Sequence, residues 1–89
     1  MNKVRREALK KLIKKIEGIQ EDIEAVVGEL ENLRDEEDEY IDNMPDGIRE
    51  SERGERAEEA RDNMDGAVDE LTAIDFESIL EQITAAVEA

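Results

Sequence analysis

Carboxylates are the only side chains abundant enough in this sequence to do chemistry. The chain has 27 acidic residues, no Cys and no His, so it lacks a thiolate and the commonest general base and metal ligand. Glu21 and Glu24, and again Glu36 and Glu39, stand one helical turn apart, a spacing that can present two carboxylates to Mg²⁺. So acidic a chain contains such pairs by chance, and most of them fall on outward positions. We therefore expect no catalytic residue, no metal and no cofactor.

The acid pairs and one further motif bear on metal binding. The acid pairs are similar to those of Mg²⁺-binding all-α nucleotide pyrophosphatases, so a carboxylate-based, Mg²⁺-dependent nucleotide-binding or hydrolysing protein is kept as an alternative. The segment from Asp42 to Gly47 resembles the start of a calcium loop, but Met44 occupies a ligand position and Arg53 stands where the bidentate Glu belongs. No Ser/His/Asp set, Gly-rich phosphate loop or zinc spacing is present. The motifs therefore favour a protein that is not an enzyme.

The charge is large and unevenly distributed. The net charge is −15, yet residues 1–15 contain seven basic side chains and one acidic one, while the other 74 residues contain 5 basic and 26 acidic ones. An acidic body repels phosphates, which argues against direct nucleic-acid binding. The basic start is amphipathic but has no Trp or Phe, and no apolar run is long enough for a membrane span or a signal peptide. We expect a soluble cytoplasmic protein without a membrane partner.

The apolar pattern predicts one long helix from about residue 4 to about residue 42. Apolar side chains recur with alternating steps of three and four residues, which places them on one stripe of an α-helix. Glu37 alone interrupts the series, and we interpret it as the fraying end of the core rather than as a buried polar residue that sets specificity. Ala8, Ile13, Val27 and Ile41 widen the stripe, as in a helical bundle. The predicted core or oligomer seam is Leu9, Leu12, Ile16, Ile19, Ile23, Val26, Leu30, Leu33 and Tyr40.

A turn and a second helix should follow. Pro45 disfavours α geometry at Met44, and Pro-Asp-Gly favours a turn over residues 43–50 in which Gly47 accepts a positive φ. Ser51 is a good N-cap for a helix over about residues 51–88. Its apolar stripe changes direction near Asp75, which is explained by a kink, by a stop and restart with Asp75 as N-cap, or by a straight helix with two neighbours. The lack of Gly or Pro after Gly66 favours a continuous or kinked helix.

Electrostatics predicts how the helices are arranged. Basic residues lie at the N-terminus of the first helix, and carboxylates lie at the C-terminus of the second. Each charge is unfavourable there, because it has the same sign as that end of its own helix dipole. The two ends become complementary when residues 75–89 lie beside residues 3–16, so we predict a single all-α domain, an antiparallel helical hairpin over residues 1–89. Two helices leave part of the wide stripe uncovered, and the simplest remedy is a homodimer that forms a four-helix bundle.

The acidic run after Arg34 is most simply a solvated helix face. It is also a candidate binding surface that imitates phosphate charge and competes for a basic protein surface. On that hypothesis the chain is a non-enzymatic interaction protein, and the alternative is a structural coiled-coil assembly subunit. The candidate partner-binding residues are Asp35, Glu36, Asp38, Glu39, Glu55, Glu58 and Glu59.

One resemblance extends this hypothesis. Three segments resemble a pattern in small uncharacterised helical proteins of bacteriophages and mobile elements: Glu39–Ile48, Ser51–Arg53 and Ala57–Ala60. Those proteins often have Glu after the Pro, and Leu-Gln in place of Ile48 and Arg49. The resemblance implies a phage-like origin, which fits an inhibitor of a host defence or nucleic-acid-binding protein, but it implies no activity and no site residue.

Overall fold

Every regular element of this protein is an α-helix, which confirms the all-α prediction. A computed structural model describes residues 1–89. The helices are α1 (Lys3–Asp42), α2 (Asp46–Arg49), α3 (Glu52–Thr72) and α4 (Phe76–Glu88). The chain divides into two compact units: unit 1 contains Met1–Ala25 and Ile74–Ala89, and unit 2 contains Val26–Ala73. None of the helices is both long and apolar enough to cross a lipid bilayer.

The segment between α1 and α3 is more helical than the turn that the sequence predicts. Pro45 precedes a single helical turn, α2, in which Ile48 N and Arg49 N both donate to Pro45 O at 2.9 Å. No residue of the chain has a positive φ, so Gly47 does not adopt the left-handed conformation expected of it. Ser51 stands at the N-cap position of α3, but its hydroxyl donates backwards to Ile48 O instead of capping the new helix. Ser51 therefore ties α2 to the start of α3.

The second long helix is broken, contrary to the continuous or kinked helix that the sequence favours. α3 ends at Thr72, and α4 begins at Phe76 after Asp75, whose carboxylate accepts a hydrogen bond from Ser78 N at 2.9 Å. A capping carboxylate satisfies an otherwise free N–H group and lies favourably at the positive end of the helix dipole. An N-cap of this kind therefore restarts the helix without a Gly or Pro.

Replacing Asp75 by Ala should lower the free energy of unfolding by about 1 kcal/mol, because the Ser78 N–H loses its partner. Asp75→Asn is the matched control, since Asn is an equally good N-cap. Urea unfolding followed by circular dichroism measures both variants at one protein concentration. An Asp75→Ala variant as stable as the Asn variant would show that the cap does not hold the start of α4.

The most buried part of unit 2 lies at the end of α1. Ile41 is completely buried, and it forms a core cluster with Met44 and Ala57, which are 8% and 6% exposed. Glu37 is half-buried one turn before this cluster. The core therefore continues beyond Glu37, and its interpretation as a fraying end is wrong.

The covered stripe of α1 differs from the predicted seam at every second position. Both share Leu9, Ile16, Ile23 and Leu30, which are half-buried. The alternate positions covered within the chain lie one residue later than the predicted ones, for example at Ile13, Val27 and Ile41. The covered stripe of α1 is Arg6, Leu9, Ile13, Ile16, Gln20, Ile23, Val27, Leu30, Arg34, Glu37 and Ile41, and the buried Met44 follows it just beyond the end of the helix.

Unit 1 consists of the first part of α1 and all of α4. Because it contains no other helix, the half-buried faces of these two helices cover one another, with Phe76, Leu80, Ile83 and Val87 on the α4 side. The Arg6 guanidinium donates to Ala89 O at 3.5 Å. A cation is favourable beside the negative end of the α4 dipole. No ion pair joins the basic run of α1 to the carboxylates of α4.

Candidate interaction surfaces

Two copies of one short motif join α1 and α3 in unit 2. The sequence Arg-Asp-x-x-Asp occurs at 34–38 on α1 and at 61–65 on α3. Arg34 donates to Asp65 at 2.8 Å, and Arg61 donates to Asp38 at 3.0 Å. Residue numbers rise along α1 as they fall along α3 between these two contacts, so the helices run antiparallel in this unit. Each motif thus supplies the arginine for one contact and the aspartate for the other.

Each arginine also binds the aspartate that follows it in sequence. Arg34 contacts Asp35 and Arg61 contacts Asp62, both at 3.2 Å. Hydrogen bonds to Asp65 and then Asp35 raise the pKa of Arg34 above its ordinary value. Hydrogen bonds to Asp38 and then Asp62 raise the pKa of Arg61 in the same way. Both guanidinium groups therefore stay charged at every physiological pH.

We call these six side chains the Arg–Asp network, and they line an open groove of about 360 Å³. The group has two positive and four negative charges. Ion pairs with exposed carboxylates add little stability, but they distinguish one helix direction and one register from the others. Of the predicted partner-binding residues, Asp38 pairs with Arg61 of α3, and Asp35 pairs with Arg34 on its own helix. Both are exposed, so their role in partner binding stays a prediction.

Glu36 and Glu39 have a different setting. Both are exposed on α1 one helical turn apart, and neither forms an ion pair within the chain. The neighbouring Tyr40 hydroxyl accepts a hydrogen bond from Arg53 Nε at 2.9 Å, and the Arg53 guanidinium lies 5.8 Å from the ring centre. The two glutamates are therefore free to meet a partner, and they stand beside a tyrosine that its arginine contact holds in place.

The other predicted acidic residues belong to α3. Glu55 and Glu59 are exposed, and Glu58 is half-buried because it faces the α1 side. Residues three or four apart lie on the same face of a helix, and at this spacing from Glu55 and Glu59 the outward face of α3 carries further carboxylates. All of them are exposed. We call this set the α3 acidic stripe: Glu52, Glu55, Glu59, Asp62 and Asp69.

Two of its members are partly neutralised and three are not. Glu52 pairs with Arg56, and Asp62 belongs to the Arg–Asp network. Glu55, Glu59 and Asp69 form no ion pair within the chain. Sequence reasoning found only Glu55 and Glu59, although the same helical spacing applied to acidic residues would have found the rest.

A second exposed set lies on α1 and is apolar. These side chains recur every seven residues, so they occupy one heptad position of one continuous helix. Their exposed fractions run from 41% to 52%. In the predicted seam these residues alternate with Leu9, Ile16, Ile23 and Leu30. The structure covers those four residues and leaves the alternating set exposed. We call this set the α1 apolar stripe: Leu12, Ile19, Val26, Leu33 and Tyr40.

The carboxylates do not assemble into a ligand set. No group of three or more His, Cys, Asp or Glu side chains comes together in a way that could hold a metal ion. The pairs Glu21 with Glu24 and Glu36 with Glu39 stay pairs on the surface of α1. The exposed surface carries two ordered sets of side chains, the α3 acidic stripe and the α1 apolar stripe.

Comparison with protein-family models, with curated proteins and with solved structures yields no match to this chain.

Proposed function

We propose that this chain is a non-enzymatic interaction protein that binds a basic surface of another macromolecule through the α3 acidic stripe. The observation that carries the proposal is the concentration of charge in unit 2. That unit has 18 acidic and 5 basic side chains, a net charge of −13, whereas unit 1 has 9 acidic and 7 basic ones, a net charge of −2. Almost all of the excess negative charge of the protein therefore belongs to the unit that carries the stripe.

Physical chemistry favours a basic protein as the partner. A dense array of exposed carboxylates attracts Lys- and Arg-rich surfaces, accelerates their encounter and repels phosphates. Surfaces of that kind are typical of nucleic-acid-binding proteins. Together with the resemblance to proteins of phages and mobile elements, this supports an inhibitor that occupies the nucleic-acid site of a host protein.

We further propose that the helices form an antiparallel hairpin and that two chains associate as a four-helix bundle. Two findings support this arrangement: the antiparallel contacts of α1 with α3 inside unit 2, and the Arg6 contact with Ala89 inside unit 1. The α1 apolar stripe gives a reason for association, since aligned exposed apolar residues mark interaction sites more often than scattered ones do.

Recovery of a partner from cell lysate tests the acidic binding surface. Reversing two charges of the stripe, in the variant Glu55→Lys/Glu59→Lys, should weaken capture of basic proteins by about tenfold, because attraction becomes repulsion. The matched control is Glu77→Lys/Glu81→Lys, which makes the same change of net charge on α4 in unit 1. Quantitative mass spectrometry of the captured proteins measures both.

Salt and DNA complete that test. Capture by the original chain and by the α4 control should fall steeply as ionic strength rises, since screening weakens exposed charge pairs. Added duplex DNA should release the captured protein, because the two compete for one basic site. Equal capture by both variants, or capture that high salt leaves unchanged, would contradict the acidic binding surface.

A structural coiled-coil assembly subunit is the second candidate function. The α1 apolar stripe favours it, because five equivalent exposed positions suit repeated helix–helix contacts. Size-exclusion chromatography with light scattering separates the two candidates. Open-ended assembly would support the structural subunit, and a closed dimer would support the binding protein.

A further inference from the structure

We propose that the α1 apolar stripe is covered by the same stripe of a second copy, with the two α1 helices antiparallel and related by a two-fold axis at Val26. This inference rests on the dimeric arrangement proposed above and assigns its surface, direction and register. Five apolar side chains at one heptad position, 41% to 52% exposed, form a continuous seam and are not scattered surface residues. A seam of this kind is completed by another helix with the same spacing.

The charges beside the α1 apolar stripe indicate which helix covers it. On the open side of the stripe, the early positions carry Lys11 and Lys15, and the late positions carry Glu36 and Glu39. All four side chains are exposed. A foreign basic helix would match only the late half, and a foreign acidic helix only the early half. A second copy of this chain matches both halves at once.

Direction follows from the same charges. In a parallel in-register pair the lysines of one copy are level with the lysines of the other, and the glutamates with the glutamates, so none of these lysines can reach one of these glutamates. In an antiparallel pair centred on Val26, Lys15 comes within one residue of the level of Glu36 in the other copy. Lys11 comes within two residues of the level of Glu39, so both pairs become attractive.

The apolar layers fit the same register. Leu12 of one copy stands opposite Tyr40 of the other, Ile19 stands opposite Leu33, and Val26 meets itself at the axis. One polar match is unfavourable, because Asp22 then stands opposite Glu29. The favourable lysine–glutamate pairs outnumber that contact two to one. The α3 acidic stripe takes no part in this contact, so each dimer would present two such stripes and bind its partner bivalently.

Single cysteines test the direction, since the chain has none of its own. A disulfide needs Cα atoms about 4.4–6.8 Å apart, so it forms only between residues that lie opposite one another. Val26→Cys should oxidise to a covalent dimer. Ile19→Cys and Leu33→Cys should each stay uncross-linked alone and form a covalent dimer when the two variants are mixed. A covalent dimer of Ile19→Cys alone would overturn the antiparallel direction.

Charge exchange tests the register without altering the apolar residues. Lys11→Glu/Lys15→Glu and Glu36→Lys/Glu39→Lys should each lower the mass in solution from twice the chain mass to the chain mass of 10.1 kDa. Combining all four changes in one chain should restore the dimer, because the attractive pairs re-form with exchanged signs. Light scattering measures the mass, and circular dichroism checks that each variant keeps its helix content.

Three results would overturn the proposal, and they are separable from failure of the acidic binding surface. The first is a monomer for the original chain at millimolar concentration, which would mean that another molecule covers the stripe. The second is a dimer that survives either double charge reversal, and the third is failure of the fourfold exchange to restore it. Loss of partner capture by Glu55→Lys/Glu59→Lys in a protein that is still dimeric would support the acidic surface independently.

Discussion

Replacing Gly54 by Ala should lower the free energy of unfolding by about 3 kcal/mol, the upper end of what overpacking a core costs. Gly54 is buried in the first turn of α3, and its φ is not positive, so backbone strain is not the reason. A Cβ at this position would come within 2.7 Å of Arg49 Cα and closer still to the Arg49 carbonyl. Since backbone atoms cannot rotate away, α2 would have to move off α3.

Thermal unfolding measures the effect, which for a domain of this size corresponds to roughly 12–24 °C in Tm. Gly66→Ala is the matched control on the same helix, because a Cβ there meets no atom within 4 Å. That control should raise the free energy of unfolding by about 0.5–1 kcal/mol, since Ala favours a helix interior more than Gly does. A Gly54→Ala variant at least as stable as the original chain would show that α2 does not lie against α3 in this way.

Replacing Ile41 by Ala should lower the free energy of unfolding by about 2–5 kcal/mol. Ile41 is completely buried against Met44 and Ala57, so truncation removes apolar contacts and leaves a cavity where the end of α1 meets the start of α3. The sequence placed Ile41 only on the flank of the stripe and Tyr40 in the seam. The size of the loss therefore tests whether the chain itself covers the side of α1 that carries Ile41.

Ile74→Ala is the control for the Ile41→Ala substitution, because it removes the same atoms from a more exposed position. Ile74 is 39% exposed in the segment between α3 and α4, so its truncation should change the free energy of unfolding by less than about 1 kcal/mol. Both variants should be unfolded in urea at one fixed concentration, because association of two chains adds to apparent stability. Equal losses for the two variants would contradict the burial of Ile41.

The two exposed surfaces divide the acidic residues of the chain among separate tasks. Asp38 pairs with Arg61 of α3, Asp35 pairs with Arg34 on α1, Glu36 and Glu39 stand beside the α1 apolar stripe, and the α3 acidic stripe faces outward. Apart from Asp62, which belongs to both the Arg–Asp network and the α3 acidic stripe, these groups share no residue. This separation makes the proposals on partner binding and on the dimer independently testable.

Much of the local structure follows from sequence because its causes are local. The heptad spacing predicts a long α1, and α1 ends at Asp42, where Pro45 makes continuation unfavourable. The excess of carboxylates, together with the lack of Cys and His, favours the prediction of a surface-binding protein. The break before α4 was harder to predict, because the capping hydrogen bond of Asp75 competes closely with helix continuation.

The tertiary structure decided which side of α1 is covered. One side of the α1 stripe carries Ile13, Val27 and Ile41, and the other side carries Leu12, Val26 and Tyr40. Since both sides have apolar residues at helical spacing, the spacing alone does not decide which side is packed. The choice depends on long-range contacts: the approach of α2 to Gly54, the cluster around Ile41 and the reciprocal pairing of Arg34 and Arg61 with aspartates across the helices. Sequence spacing is a property of one helix, whereas the covered face is set by the free energy of packing two helices together. The residues that this packing leaves exposed are those on which both the dimer and the partner surface depend.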